Sequence, residues 1–187
     1  MPESIRSFIA FELTNDEIQA RLMDVQRQLK ETGANLKLVS PENIHITMRF
    51  LGNIQPQMVD RLYMEMEQIS FNSFQVEIRK VGAFPTIRNP RVIWVGIQTN
   101  VDKLVGISQQ VESHLRKLGF PTDSKAFRPH ITLARVRTGR NRVELVGTLN
   151  KIADHLFGVL EIHCLKLKKS VLTPKGPIYT TLKEICR

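Results

Sequence analysis

The stretch His45-Ile46-Thr47-Met48 returns later in the chain as His130-Ile131-Thr132-Leu133. Both copies lie inside apolar runs of the kind that form β-strands. Because successive side chains on a strand point to opposite faces, the His and the Thr of each copy share one face. Two such pairs facing one cleft would combine an acid, a base and two hydroxyl donors. That set of groups suits the hydrolysis of a phosphodiester without a metal.

The repeat extends beyond the two tetrapeptides. The offset that relates them also relates residues 8–15 to residues 93–100, and both segments have the pattern of a strand followed by a capped helix. This spacing indicates an internal duplication. Strands and helices alternate along the chain, and short returns favour antiparallel pairing. We therefore predict an α+β fold with two lobes related by a pseudo-twofold axis, mainly antiparallel sheet, helices on the outside and a central active-site cleft.

The expected organisation is one bilobal domain over residues 1–187. The first motif half covers about 1–85 and the second about 91–187, with a loop over 82–90 as the best boundary between them. Two final strands are expected at about 158–168 and 177–184. These terminal strands could cross between the lobes.

Composition limits the class of protein. The hydrophobic share of 42% and the charged share of 24% are typical of soluble globular domains. No apolar stretch approaches the roughly 20 residues that a membrane span needs. The beginning, residues 1–6, lacks the features of a signal peptide. We expect a cytoplasmic protein with no membrane partner.

The cysteine count and the net charge add two expectations. Cys164 and Cys186 form no disulfide framework and no zinc-binding spacing, so we expect free thiols and no metal site. The net charge of +9 favours polyanionic partners such as nucleic acid, although a generally basic surface would explain it equally well. Lys166, Lys168 and Lys169 are expected to form a solvated strand face rather than a binding stripe.

The duplicated residues are suited to acid–base chemistry. Histidine has an ordinary pKa of about 6.5, so a neutral and a protonated imidazole can coexist near neutral pH. One can remove a proton from water while the other protonates a departing sugar oxygen. The hydroxyls of Thr47 and Thr132 can donate to the non-bridging phosphate oxygens. The residues alone do not say which of His45 and His130 is the acid.

Further side chains are candidates for phosphate or RNA contacts. The same-face rule puts Arg49 in the cleft with His45. Arg128 could face the cleft if its strand begins early, and Arg135 should point away unless the strand bulges. Tyr179 could stack on a base or simply pack. His114, His155 and His163 lack a hydroxyl partner at the motif spacing, and we interpret them as structural or surface residues.

With both motifs in view, the chain resembles the 2H phosphoesterases of the LigT-like branch, the RNA 2',3'-cyclic phosphodiesterases formerly called 2'-5' RNA ligases. The resemblance covers essentially the whole chain. It is carried by residues 42–52 and 127–136 around the two motifs, and by residues 90–96 and 172–179.

This resemblance implies hydrolysis of a terminal 2',3'-cyclic phosphate of RNA to a 2'-phosphate, without metal or cofactor. It implies that His45 donates a proton to the leaving O3' and that His130 accepts the proton of the attacking water. Thr47 and Thr132 would bind the phosphate. RNA fragments such as tRNA halves are the implied partners, and we expect a monomer.

Three alternatives use the same residues. The reaction could run backwards as 2'-5' RNA ligation, although no nucleotidyl-transfer lysine motif or Gly-rich phosphate loop marks a dedicated ligase. The enzyme could act on small cyclic phosphates or on 2'-5' oligonucleotides. The protein could be a non-catalytic RNA-end binder, but binding alone would not need paired imidazoles.

Overall fold

The computed structural model describes residues 4–187, and within them the chain forms nine strands and four α-helices. The elements in chain order are β1 Ile5–Glu12, α1 Asp16–Glu31, β2 Leu36–Leu38, β3 His45–Ile54, α2 Met58–Glu67, β4 Phe74–Thr86, β5 Asn89–Ile97, α3 Val101–Lys117, β6 His130–Val136, α4 Arg142–Lys151, β7 Leu156–Ile162, β8 Cys164–Thr173 and β9 Gly176–Cys186. A 3-10 turn, Pro41–Asn43, leads into β3.

Helix α1 shows how local sequence sets these boundaries. The Asn15 side chain accepts a hydrogen bond from the Ile18 amide at 2.9 Å, and two acidic residues occupy the first turn. Both features stabilise a helix N-terminus. Along the helix, an apolar stripe is buried in the core: Ile18, Leu22, Val25 and Leu29.

All the strand pairs are antiparallel, and the order across the sheet is β7-β4-β5-β6-β3-β1-β8-β9, with the short β2 paired to β6. At the centre, β3 and β6 are joined through the pair Ile46 and Ile131. This narrow junction separates a first-motif group, β3-β1-β8-β9, from a second-motif group, β6-β5-β4-β7. The prediction of a mainly antiparallel α+β fold is confirmed, and the two motif strands are neighbours.

The helices cover one face of the sheet. Helices α1 and α4 contact each other, and α1 packs against β6 and β7, whereas α2 and α3 contact each other and pack against β9 and β3. On β3, Ile46 and Met48 are buried in this helix-covered core, while His45 and Thr47 alternate with them. The opposite face, which carries the His and Thr of both motifs, is called the cleft face below.

The predicted loop over 82–90 is wrong, because these residues form a β-hairpin. Strand β4 continues to Thr86 and β5 begins at Asn89. Beyond Arg79, β4 pairs only with β5 and not with β7. A strand with one free side tolerates proline there, which explains how Pro85 fits in a strand.

The expectation of free thiols is also wrong. Cys164 and Cys186 form a disulfide between β8 and β9. The two strands pair antiparallel with these residues directly opposite each other, and their Cα atoms are 4.1 Å apart. Strand register, which the cysteine count does not show, brings the two thiols together.

Within residues 4–187, no helix has the length and apolar character that crossing a membrane requires.

Candidate active site

The two motif histidines are held in the same way. Nδ1 of His45 donates a hydrogen bond to the carbonyl oxygen of Asn43 at 2.6 Å, and Nδ1 of His130 donates to the carbonyl oxygen of Arg128 at 2.6 Å. A carbonyl oxygen only accepts, so Nδ1 carries the proton in both rings. Each neutral imidazole therefore has its lone pair on Nε2, the nitrogen that remains for chemistry.

The carbonyl that orients His45 is itself held in place. Asn43 is buried, and its side-chain amide donates to the carbonyl oxygen of Pro177 at 2.8 Å. This bond links the approach to β3 with the beginning of β9. The Nε2 atom of His45 lies 2.8 Å from Oγ1 of Thr47. In the neutral ring Nε2 accepts from this hydroxyl, and in the protonated ring it donates to it.

The surroundings of the two rings differ. The His45 ring centroid is 4.9 Å from that of Phe8 and 5.5 Å from that of Tyr179, which meets it edge-on. His130 instead meets Phe84 edge-on at 5.2 Å, and Phe84 packs against Trp94 at 5.3 Å. The two halves thus present equivalent histidines in unequal aromatic settings.

Burial is the main cause that lowers the pKa of His45 below its ordinary value of 6.5. The hydrogen bond to the Asn43 carbonyl opposes this shift, as does the negative charge of Glu12. The positive charges of Lys168 and His130 add to the lowering. In the free protein at neutral pH, His45 is therefore mainly the neutral imidazole.

A cluster of three charged residues lies beside His45, and the sequence pattern did not predict it. Strand pairing sets Glu12 opposite His45, and Lys168 opposite Phe8 on the other side of β1. Lys166 Nζ is 2.5 Å from a Glu12 carboxylate oxygen, and Lys168 bonds the other oxygen. Only 8% of the Lys168 side chain is exposed, so the expectation of a solvated lysine face is wrong for this residue.

The charges within this cluster favour the ionised forms. Burial alone would raise the pKa of Glu12, but the hydrogen bonds from Lys166 and Lys168 outweigh it and lower that pKa. Lys168 also donates to Oγ1 of Thr181 at 3.0 Å. The alternation of Phe8, Ala10 and Glu12 on one face of β1 is the sequence signal that could have shown the cluster.

Replacing Lys168 with methionine should raise the pKa of His45. The substitution removes a positive charge that disfavours protonation of the ring, while Lys166 still neutralises Glu12. NMR titration of the His45 ring proton would measure the change. Lys169→Met is the matched control on the same strand, and a His45 pKa that moves equally in both variants, or in neither, would contradict this assignment.

The prediction that Arg49 faces the cleft is wrong, because β3 bulges. Thr47 pairs with Ala10 and Arg49 with Ile9, which leaves Met48 as an extra residue. The bulge turns Arg49 to the helix face, where Nε bonds Glu112 of α3 and an Nη atom donates to the Pro121 carbonyl at 2.6 Å. A bulge adds one residue without disturbing the apolar pattern, so alternation alone does not reveal it.

Arg49→Met should therefore reduce stability rather than catalysis. Only 12% of the Arg49 side chain and 21% of the Glu112 side chain are exposed, so the substitution leaves a carboxylate unpaired in a poorly solvated position. We expect a loss of about 2–3 kcal/mol in the free energy of unfolding. Denaturant titration measures it, and adding Glu112→Leu should recover part of it. A large fall in kcat with unchanged stability would contradict this role.

The second motif strand has a matching bulge with the opposite effect. Thr132 pairs with Trp94 and Ala134 with Ile93, so Leu133 is the extra residue and Arg135 lies on the cleft face. The residue at the same offset in the first copy is Phe50, which packs 6.1 Å from Phe8 and is 58% exposed. The cleft thus carries a cation on one side and an exposed aromatic ring on the other.

The other two predicted contact residues have different placements. Tyr179 lies beside His45, and burial raises the pKa of its hydroxyl, so it remains a neutral group. Arg128 is exposed and orients His130 through its backbone carbonyl. Its guanidinium makes no hydrogen bond or ion pair with residues 4–187.

Within residues 4–187, one group of three potential metal ligands has its ligand atoms within 4.8 Å of one another, namely Cys164, Glu184 and Cys186, and the two cysteines are joined in the disulfide. The histidines of the cleft are not part of it. The absence of a metal from the chemistry stays a prediction.

Two Nε2 atoms of fixed tautomer and two threonine hydroxyls on one face are groups that acid–base cleavage of a phosphoester can use. The family model described as LigT like Phosphoesterase matches this chain twice, over residues 13–94 and 95–179. The chain therefore belongs to the LigT-like phosphoesterase family. The two matches coincide with the two motif copies.

Relatives in the family are similar over nearly their full lengths. The RNA 2',3'-cyclic phosphodiesterase of Aeropyrum pernix is 38% identical over 165 residues, which cover 88% of this chain and 94% of the relative. That of Archaeoglobus fulgidus is 35% identical over 179 residues, with 96% and 98% covered.

Solved structures share the fold. The protein TT0787 of Thermus thermophilus superposes with a TM-score of 0.79 at 25% identity, covering 97% of each chain. E. coli LigT complexed with 3'-AMP gives a TM-score of 0.78 at 22% identity, covering 98% of each chain. The predicted fold and the resemblance are both confirmed.

Proposed function

We propose that the protein hydrolyses terminal 2',3'-cyclic phosphates of RNA to 2'-phosphates by metal-independent acid–base catalysis. The observation that carries this proposal is the matched anchoring of His45 and His130, each held through Nδ1 by a carbonyl two residues upstream. Because both Nδ1 atoms are engaged in this way, the two Nε2 atoms are the ones that can transfer protons. The substrate is supported by relatives named RNA 2',3'-cyclic phosphodiesterase.

In the proposed reaction, Nε2 of His130 removes a proton from the water that attacks phosphorus. Protonated His45 gives its Nε2 proton to the leaving O3', so the bond to O3' breaks and a 2'-phosphate remains. The lowered pKa of His45 means that the ring must gain this proton as substrate binds. The negative charge of the phosphodiester favours the protonated ring and raises its pKa.

Thr47 and Thr132 are proposed to donate hydrogen bonds to the non-bridging oxygens. The contact between His45 Nε2 and Thr47 Oγ1 links this role to the proton on His45. When Nε2 is neutral it accepts the hydroxyl proton, and that proton is unavailable to a substrate. The protonated Nε2 no longer accepts from Thr47, so the Thr47 hydroxyl can donate to phosphate, and the single Nε2 proton turns from Thr47 Oγ1 to O3' as His45 acts as the acid.

The first test is incubation of the protein, in EDTA, with a short RNA that ends in a 2',3'-cyclic phosphate. We expect ring opening to a 2'-phosphate, identified by chromatography against the 2'- and 3'-phosphate standards. No opening by folded protein, loss of activity in EDTA or release of a 3'-phosphate would each contradict the proposal. Adding an RNA with a 5'-hydroxyl to the same mixture would detect 2'-5' ligation, the reverse reaction.

The natural substrates proposed are RNA fragments that carry such ends, with tRNA halves among them, and the active species is proposed to be a monomer. Both histidines come from one chain, and the two motif strands pair within it. A single protomer thus contains every group that the proposed chemistry uses.

A further inference from the structure

A cavity of about 350 Å³ lies beyond the end of β6 that is remote from His130. It is bounded by the start of β5, the segment that follows β6 and the first turns of α4. Among residues 4–187, four arginines line it, namely Arg91, Arg137, Arg140 and Arg142, and no acidic side chain does. The proposed chemistry uses none of these residues.

The arginines of the cavity differ from those that the fold uses for its own stability. Arg21, Arg49 and Arg79 each pair with a carboxylate, whereas none of the four cavity arginines forms an ion pair with any residue in the described range 4–187. All four are exposed. Several guanidiniums around one concavity repel each other, and an anion with several oxygens would relieve this repulsion through charge-assisted hydrogen bonds.

The segment that carries these arginines is fixed to the rest of the fold. The Arg137 amide donates to the Asn35 carbonyl at 2.9 Å, and the Asn141 side chain donates to the Thr32 carbonyl at 2.9 Å. At Gly139 an added Cβ would lie 3.1 Å from an Arg142 guanidinium nitrogen. The lack of a side chain at Gly139 therefore leaves space for the Arg142 guanidinium. The fold itself therefore fixes the segment that bounds the cavity.

Strand β6 connects the cavity to the active-site cleft. From His130 to Arg137 the distance along the strand is about 23 Å at the usual rise per residue. Thr132 and Arg135 lie between them on the cleft face. A nucleotide bound at the histidines would thus be too short to reach the cavity, whereas a strand of several nucleotides would pass Arg135 on the way.

We propose that the four-arginine cavity binds backbone phosphates of the RNA strand upstream of its cyclic end, so that the enzyme favours oligonucleotides over mononucleotides. Because it takes RNA as the substrate, this subsite rests on the proposed function. Four guanidiniums exceed what one small anion needs, and the position of the cavity at the end of the strand that carries His130 favours a chain of phosphates. The subsite would recognise the negative charge of the RNA backbone and not the base sequence.

The test compares a 2',3'-cyclic mononucleotide with an RNA of about ten nucleotides ending in a 2',3'-cyclic phosphate. The variant is Arg137→Met with Arg140→Met, and the matched control is Arg61→Met with Arg116→Met, which removes the same charge from exposed sites on α2 and α3. We expect the cavity variant to lower kcat/KM for the RNA by about 10- to 100-fold and to leave the mononucleotide rate unchanged. The control variant should retain both rates.

The salt dependence of binding gives a second measurement. Fluorescence anisotropy with the same RNA bearing a 3'-hydroxyl end should show a slope of log affinity against log salt that is shallower by about 1.4 in the cavity variant. This readout does not need turnover. If the wild type opens neither substrate, the proposed function fails, and the anisotropy result still decides the subsite. Equal rate losses on both substrates, equal effects in the control variant, or unchanged RNA binding would overturn the subsite.

Discussion

Replacing His45 or His130 with alanine is expected to lower turnover of a 2',3'-cyclic phosphate RNA by about 10²- to 10⁴-fold for each residue. Each substitution removes one of two proton-transfer groups that act together in the same reaction. The fold-loss in turnover of the double variant should therefore be much smaller than the product of the two single fold-losses. Single-turnover kinetics with enzyme in excess would measure these rates directly.

The control for this result is a histidine outside the cleft. His155 packs against Phe157 on the second-motif side of the fold, and His155→Ala should keep the wild-type rate. Circular dichroism would show that all three variants are folded, because neither cleft histidine belongs to the buried apolar core. A cleft variant that is folded and turns over at the wild-type rate would remove that histidine from the mechanism.

Replacing Thr47 or Thr132 with valine is expected to lower kcat by about 10²-fold, with a smaller effect on KM. Valine keeps the shape and the stiff χ1 of threonine but has no hydroxyl, so the change tests the hydrogen bond alone. Thr122, exposed in the segment before β6, provides the matched control, since Thr122→Val should have no effect.

The two threonines should not behave identically. Thr47 bonds Nε2 of His45, so Thr47→Val also removes an acceptor that the protonated ring uses and should change the pH dependence of the rate. For Thr132 we expect a loss of rate with the pH dependence unchanged. A fall in affinity alone, with kcat intact in both variants, would contradict a role for these hydroxyls in the transition state.

The features that the sequence predicts well are those set by local pattern. The duplicated motif at a constant offset identifies the two central strands, and their alternation correctly separates the buried Ile46 and Ile131 from the motif side chains. The capping residues before α1 set its first turn. These signals act over a few residues and do not depend on neighbouring strands.

The features that the sequence does not predict depend on the pairing register of strands that are distant along the chain. The bulges at Met48 and Leu133 reverse the faces of Arg49 and Arg135, and both are defined only against the partner strand. The ion pairs of Lys168 with Glu12, and the disulfide of Cys164, follow likewise from the pairing of β8 with β1 and with β9. Single-sequence alternation contains none of this pairing.

The unequal surroundings of the histidines arise from the same cause. In the first copy, Phe8 and the late Tyr179 lie against His45, because β8 and β9 join the first-motif group. In the second copy, the Phe84 ring meets the His130 ring edge-on. A duplicated motif suggests equal rings, and the strands that flank the duplication make them unequal.

The most direct test of two-histidine catalysis is the dependence of kcat/KM on pH, from about pH 5 to pH 9, for an RNA ending in a 2',3'-cyclic phosphate in EDTA. The rate should fall at low pH as the base is protonated and at high pH as the acid is deprotonated. In His130→Ala the remaining high-pH fall reports His45 alone, so the lowered pKa of His45 should place that fall below the ordinary histidine value of 6.5, and adding Lys168→Met should move it upward. His45→Ala should abolish the high-pH fall and His130→Ala the low-pH fall. A flat profile in the wild type would contradict the acid–base pair.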